Sequence, residues 1–177
     1  VFLLCMPALG QDEVPLTKQE KKVLRKEEKK QREKVMAVNT AQAIKSRNFV
    51  LKAQRISGRY GYVTMVDPTI NFISVQGDIA YVQLGSESGL GYNGVGGVTL
   101  KGTVTSFDVK QDEKSGSYFL MIHTSGTGGS LSISMQVNVI GDMATATVTT
   151  NWGSTVTFSG DLYPHSSTRI YKGTDSY

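Results

Sequence analysis

The residues that most often fix chemistry are scarce in this chain. Its 177 residues include one Cys, two His, one Trp and four Pro. A single Cys excludes an intramolecular disulfide framework. His123 and His165 have no Cys nearby and no H-x-x-x-H spacing, so no zinc set is recognisable. No apolar run reaches the roughly 18–20 residues of a helical membrane span. There is no G-x-S-x-G nucleophile elbow. Asp108, Asp112 and Glu113 fall near a turn, where carboxylates serve solubility rather than paired acid–base work. No catalytic residue is expected. Disorder throughout is also excluded, because hydrophobic residues make up 39% and charged residues 19%.

What charge there is lies in one place. Residues 11–56 carry 13 Lys and Arg against 6 Asp and Glu, whereas residues 57–177 carry 6 against 9. The formal net charge of +4 therefore belongs to an N-terminal segment. A nucleic-acid partner is not expected, because the basic surface is the segment and not the domain.

Residues 1–10, VFLLCMPALG, read as the remnant of a signal peptide, with cleavage expected after Gly10. Ala8 and Gly10 place small residues where signal peptidase reads. Cys5 invites a lipoprotein reading, against which stands the large Leu4 before it, where lipidation favours a small residue. The product is then periplasmic or extracellular. Residues 11–46 read as a Lys/Glu-rich helix. From Lys18 to Lys34 nearly every residue is a strong helix former. Thr17 and Glu20 have capping-box spacing. Ala37, Val38, Ala41 and Ile44 recur at helical spacing and are expected to dock on a domain. The preceding turns have no apolar stripe. That absence argues against insertion into a bilayer and leaves weak electrostatic contact with anionic surfaces.

From Asn48 the hydrophobic period changes to two. Phe49, Leu51 and Ala53 open the pattern. Leu131, Ile133, Met135, Val137 and Val139 alternate without a break. Further strands are expected near 60–66, 70–76, 79–84, 98–109, 117–124, 144–149 and 154–162. Gly77-Asp78 and Gly141-Asp142 each suit a two-residue type II′ turn. The first sets Val75 against Ala80 and Ile73 against Val82. The second sets Val139 against Ala144 and Val137 against Ala146. About eight short strands at regular spacing imply a mainly β fold, an antiparallel barrel or sandwich over 47–165, with 166–177 as a C-terminal tail.

The residues that carry a resemblance are SRNFVLKAQRI (Ser46–Ile56), INFISVQGDIAYVQLG (Ile70–Gly85), GYNGVGGVTLKG (Gly91–Gly102) and RIYKG (Arg169–Gly173). Together with the export signal and the charged helix, they make the chain resemble an exported Gram-negative family known as domain of unknown function 4251. The resemblance covers nearly the whole chain from Gln11. It implies a small β-barrel of lipocalin-like topology and no established activity.

Gly89-Leu-Gly91-Tyr-Asn-Gly94 matches G-x-G-x-x-G, but a strand pattern follows it where a dinucleotide site needs a helix N-terminus. No βαβ unit is apparent, so neither a dinucleotide nor any other cofactor is expected. A glycine-rich rim loop remains, in which Gly89, Gly91, Tyr92, Asn93, Gly94, Gly96 and Gly97 let a ligand approach the backbone closely. Trp152, in a turn, either folds back onto the barrel end or stands exposed for binding. His123 is expected as a wall residue, and no metal site is expected. The leading expectation is a non-catalytic exported cell-envelope module holding a small apolar or amphipathic ligand inside the barrel or at that rim. The alternative is a structural or interaction protein with a solid barrel, acting through its surface and basic helix. An interior filled by Met, Phe and Leu side chains favours the alternative.

Overall fold

A computed structural model describes residues 17–86, 96–126, 129–138 and 143–175. Contacts divide the chain into two units, Val1–Arg32 and Glu33–Tyr177. One helix, α1 (Lys18–Lys45), runs through the boundary. Its start is capped as the spacing predicts. The Thr17 N–H and hydroxyl both donate to the Glu20 carboxylate, at 2.8 and 2.9 Å. The Glu20 N–H donates back to Thr17 Oγ1 at 3.3 Å. Every residue from Thr17 to Arg32 is exposed.

In the second unit the last turns of α1 bury Thr40, Ala43 and Ile44. Ala37 and Ala41 are half-buried beside them, but Val38 is 64% exposed. The docking face therefore passes through Ala37, Thr40, Ala41 and Ile44, and Val38 lies off it. Arg47 ends the helix in the left-handed region, with φ of 51°. That position usually favours Gly or Asn. Arg47 is held there by its own contacts. Its guanidinium lies 4.9 Å from the Phe107 ring centroid, and its Nη1 is 3.4 Å from Asp78.

Among the described residues nine strands follow: β1 (Asn48–Gly58), β2 (Val63–Met65), β3 (Phe72–Gln76), β4 (Ile79–Leu84), β5 (Val98–Gln111), β6 (Tyr118–Gly126), β7 (Gly129–Val137), β8 (Met143–Thr150) and β9 (Thr155–Pro164). All pairings are antiparallel. The order β1-β3-β4-β5-β6-β7-β8-β9 closes through β9 onto β1, giving an eight-stranded up-and-down barrel. The seam runs from Phe49 opposite Pro164 to Gly58 opposite Val156, with an irregularity between Ala53 and Arg55. The other side of β1 is shared. Residues 48–52 pair with β3, and residues 55–57 pair with the short β2. Closure decides between barrel and sandwich, which alternation alone leaves open.

The β3–β4 hairpin has the expected register, with Val75 opposite Ala80 and Ile73 opposite Val82. Gly77 takes φ of 60° at the first central position, as a type II′ turn requires. The β7–β8 register differs from expectation. Val137 lies opposite Ala144, and Met135 opposite Ala146. The pairing is displaced by two residues, and the Asn138 N–H donates to the Met143 carbonyl at 2.8 Å to close a longer connection. A shift of two keeps every side chain on its own face, so apolar still meets apolar and alternation cannot detect it. Val139 to Asp142 lie outside the described residues.

The inward side chains fill the barrel. Phe49, Leu51, Ile73, Ile122, Ile133, Met135, Phe158 and Leu162 are buried in one continuous cluster, which also takes in Ala43 and Ile44 from the helix end. Tyr118, Val137, Val75 and Val82 complete it, with Leu100, Val104 and Phe107 packed alongside. Small residues meet at the seam, where Gly160 lies between Ala53 of β1 and Ala144 of β8.

Candidate functional site

The expected rim loop can be described only in part. Gly89, Gly91, Tyr92, Asn93 and Gly94 lie outside the described residues. Gly96 and Gly97 are described, and both are required by the backbone. Gly96 has φ of 77°. A Cβ on Gly97 would sit 2.0 Å from the Leu84 carbonyl oxygen, so only glycine lets β5 start this close to the end of β4. The Ser86 hydroxyl donates to the Gly96 carbonyl at 2.9 Å, tying the two sides of the connection together.

Beside this rim is a cleft of about 570 Å³, lined by Thr64, Met65, Val66, Asp67, Ile70, Asn71, Gly85 and Ser86. Asn71 is its best-placed polar side chain, but it is buried and engaged. Its Nδ2 donates to the Asp67 carbonyl at 3.0 Å, and its Oδ1 accepts from the Gly85 N–H at 2.9 Å. Asp67 accepts from the Thr69 N–H and hydroxyl at 2.7 and 2.8 Å. These bonds, the backbone one foremost, hold its carboxyl below the usual aspartate range. The cleft is thus a gap braced by its own polar groups.

At the opposite end, a second cleft of about 470 Å³ runs between the last turns of α1 and the end of β9. Met36, Asn39, Ala43, Leu162, Pro164 and Ser167 are among its walls. Within the barrel, Thr124 is 2% exposed, and its hydroxyl is the buried side-chain group without a hydrogen-bond partner among the described residues. It faces Gly102, where an added Cβ would come within 2.7 Å of it.

The other flagged residues stay apart. His123 is an exposed wall residue of β6. His165, in the 3-10 turn His165–Ser167, contacts the Gln76 side chain. Asp112 receives the Lys114 N–H and the Ser115 hydroxyl within a turn. Among the described residues, no three His, Cys, Asp or Glu gather as a cation site would need. Trp152 is 59% exposed, yet its ring edge lies against Gly129, where an added Cβ would stand 2.8 Å away. It is both folded back and accessible.

One built feature went unread in the sequence. Residues 168–175 form a strap over the outside of β1, β3, β4 and β5. Val50, Phe72 and Tyr81 make an outer apolar cluster, and Ile170 packs on it. Lys172 Nζ lies 3.9 Å from the Tyr81 ring centroid. Gln83, fully buried, latches the strap. Its Nε2 donates to the Ile70 and Tyr171 carbonyls at 3.0 and 2.8 Å. Its Oε1 accepts from the Thr99 hydroxyl at 3.0 Å and the Gly173 N–H at 2.9 Å. A signal was present, because Phe72-Ile73-Ser74-Val75 and Ile79-Ala80-Tyr81-Val82 are apolar on both faces, as strands covered on both sides are.

Comparison with known proteins agrees with this architecture. No curated protein matches the chain significantly. A crystal structure of a DUF4251 family protein from Bacteroides eggerthii DSM 20697 is 32% identical. It superposes with a TM-score of 0.62, over 73% of this chain and 88% of that one. The family model for the domain of unknown function DUF4251 matches residues 29–162, from the middle of α1 through most of β9. Since the match takes in every strand of the closed ring, the chain belongs to the DUF4251 family.

Proposed function

We propose that this protein is a non-catalytic, exported module of the cell envelope that works through its outer surface and its basic helix. The barrel serves as a rigid scaffold and not as a container. The observation that supports this reading is the filled interior. Phe49, Phe158, Met135, Leu51 and Leu162 occupy the volume a ligand would need. The clefts described above lie at the barrel ends, and the polar groups of the one beside Asn71 are already engaged with one another. The helix supplies the second working part. Between Lys18 and Arg32, 8 Lys and Arg face 3 Glu. All of them are exposed, which suits reversible attraction to an anionic surface.

The test is sedimentation with envelope fractions at low and high salt, comparing the full chain with a deletion of residues 11–32. The deletion stops at Arg32 because Ala43 and Ile44 belong to the core. Association that salt weakens and the deletion removes is the expected result. Association indifferent to both would remove the helix from the proposal. Native mass spectrometry of protein purified gently from its own host is expected to give the bare chain mass. A discrete adduct lost on denaturation would instead restore a bound ligand.

A further inference from the structure

We infer that the cleft between the last turns of α1 and the end of β9 is a binding site for a neutral saccharide. This goes beyond the proposed function and does not depend on it, since the walls begin at Met36, past the basic turns. The helix gives Met36, Asn39, Thr40, Ala43 and Ser46 to the cleft. Their spacing of three and four residues is that of one helix face. Asn48 from the start of β1, Leu162 and Pro164 from the end of β9, and Ser166 and Ser167 from the 3-10 turn form the other side. The volume of about 470 Å³ suits a small molecule.

The polar groups here differ from those beside Asn71, which are taken up by the chain itself. Ser46 and Ser167 are engaged, donating to the Ala43 and Pro164 carbonyls at 3.2 and 2.9 Å. The side chains of Asn39, Thr40, Gln42, Asn48 and Ser166 make no hydrogen bond among the described residues. Thr40 decides the matter. It is 2% exposed, so bulk water barely reaches it, and no group among the described residues pairs its hydroxyl. Buried hydroxyls are normally paired, and one on a cleft wall can be paired by what enters the cleft.

The class of ligand follows from the walls. No charged side chain and no His is among them, so an ion would meet no counter-charge. The amides of Asn39, Gln42 and Asn48 both donate and accept, and so do the hydroxyls of Thr40 and Ser166. A sugar ring carries hydroxyls of the same dual kind, and its C–H face suits Met36, Ala43 and Pro164. An extended peptide is read mainly through main-chain edges. Here those edges are occupied, in the helix on one side and in the pairing of Leu162 to Pro164 with β1 on the other.

Two-dimensional amide NMR of the full chain tests this, with maltose, cellobiose and chitobiose each raised to about 50 mM. At least one is expected to give saturable shifts at the Thr40, Ala43, Asn48 and Ser166 amides. The dissociation constant should be on the order of millimolar, weak enough for the sugar to be lost on purification. Thr40→Val keeps the shape, removes the hydroxyl and should weaken binding about fivefold. Asn39→Ala, at an exposed position, should do the same and remains decisive if the valine variant disturbs the helix. Deletion of residues 11–32 should leave these shifts in place whether or not it abolishes envelope association, so the two readings fail separately. Absence of the shifts with all three sugars overturns the inference. So does binding that both variants leave unchanged, or tighter binding of neutral acetyl-trialanine amide at the same amides.

Discussion

Gln83 offers the sharpest test of how the outer face is held. Replacing it with Met keeps the volume and removes both polar groups of the amide. Four hydrogen bonds are lost, two donated and two accepted. At about 1 kcal/mol each, the net cost is about 4 kcal/mol if the strap stays in place. It is more if Ile70 O, Tyr171 O, Thr99 Oγ1 and Gly173 N remain buried without partners. The chain has a cheaper response. Residues 168–175 can lift off, regain about 1 kcal/mol of backbone entropy per residue, and leave Val50, Phe72 and Tyr81 to water. Gln83→Met should therefore lower stability to urea by about 3–4 kcal/mol. It should also raise hydrogen exchange at the Tyr171 and Gly173 amides by about a hundredfold, while the Ile73 and Ile133 amides change only with global stability. Truncation before Thr168 should remove most of the additional effect of Gln83→Met, since both act on one contact. Unchanged exchange at Tyr171 and Gly173, or additivity of the two changes, would refute the latch.

Four further outcomes follow from the same geometry. Gly160→Ala places a Cβ 1.9 Å from the Lys52 carbonyl oxygen across the barrel seam, so urea unfolding should show a loss of about 3 kcal/mol or more. Phe158→Ala, from the centre of the filled interior, should cost about 3–5 kcal/mol in the same assay. Thr124→Val removes a buried hydroxyl that has no partner and should stabilise by about 1–2 kcal/mol, whereas a ligand held at that hydroxyl would make the change destabilising. The Glu20 carboxyl is held below its ordinary value by bonds from Thr17, so its contribution to the helix start is complete above about pH 4.5 and is lost as pH falls through the lowered value. Circular dichroism of Thr17→Ala should show that acid-linked step diminished.

Much of this fold can be read from period-two patterning alone. The strands of Leu131 to Val137 and Ala144 to Val148 stand where strict alternation places them, because one face meets the core and the other meets water. The Gly77 turn is legible for a different reason: its dipeptide dictates a backbone conformation, and the conformation dictates the register. The second hairpin lacks that lock. Moving Ala144 from Val139 to Val137 changes no face, so a five-residue connection and a two-residue one look equally good to any argument from alternation. Helical spacing failed in a similar way at Val38. Its position three residues from Ala41 admits it to the stripe, but the face is fixed by where Ile44 enters the barrel end.

The functional surfaces were harder to read than the fold, and the outer face shows why. Two groups of outward apolar residues occur on neighbouring strands. Val50, Phe72 and Tyr81 form one group, and Val63 and Met65, with Tyr62 beside them, form the other. Their compositions are alike, and hydropathy ranks them together. One group is covered because chain some 90 residues downstream returns over it and binds the Gln83 amide. The other is exposed, and among the described residues the outer edge of the three-residue β2 meets no strand. What separates the covered patch from the exposed one is thus the path of distant chain: the two-faced apolar runs of β3 and β4 signal that something covers them, but not which segment does. Under the proposed reading, in which a filled barrel works through its surface, that distinction carries the weight.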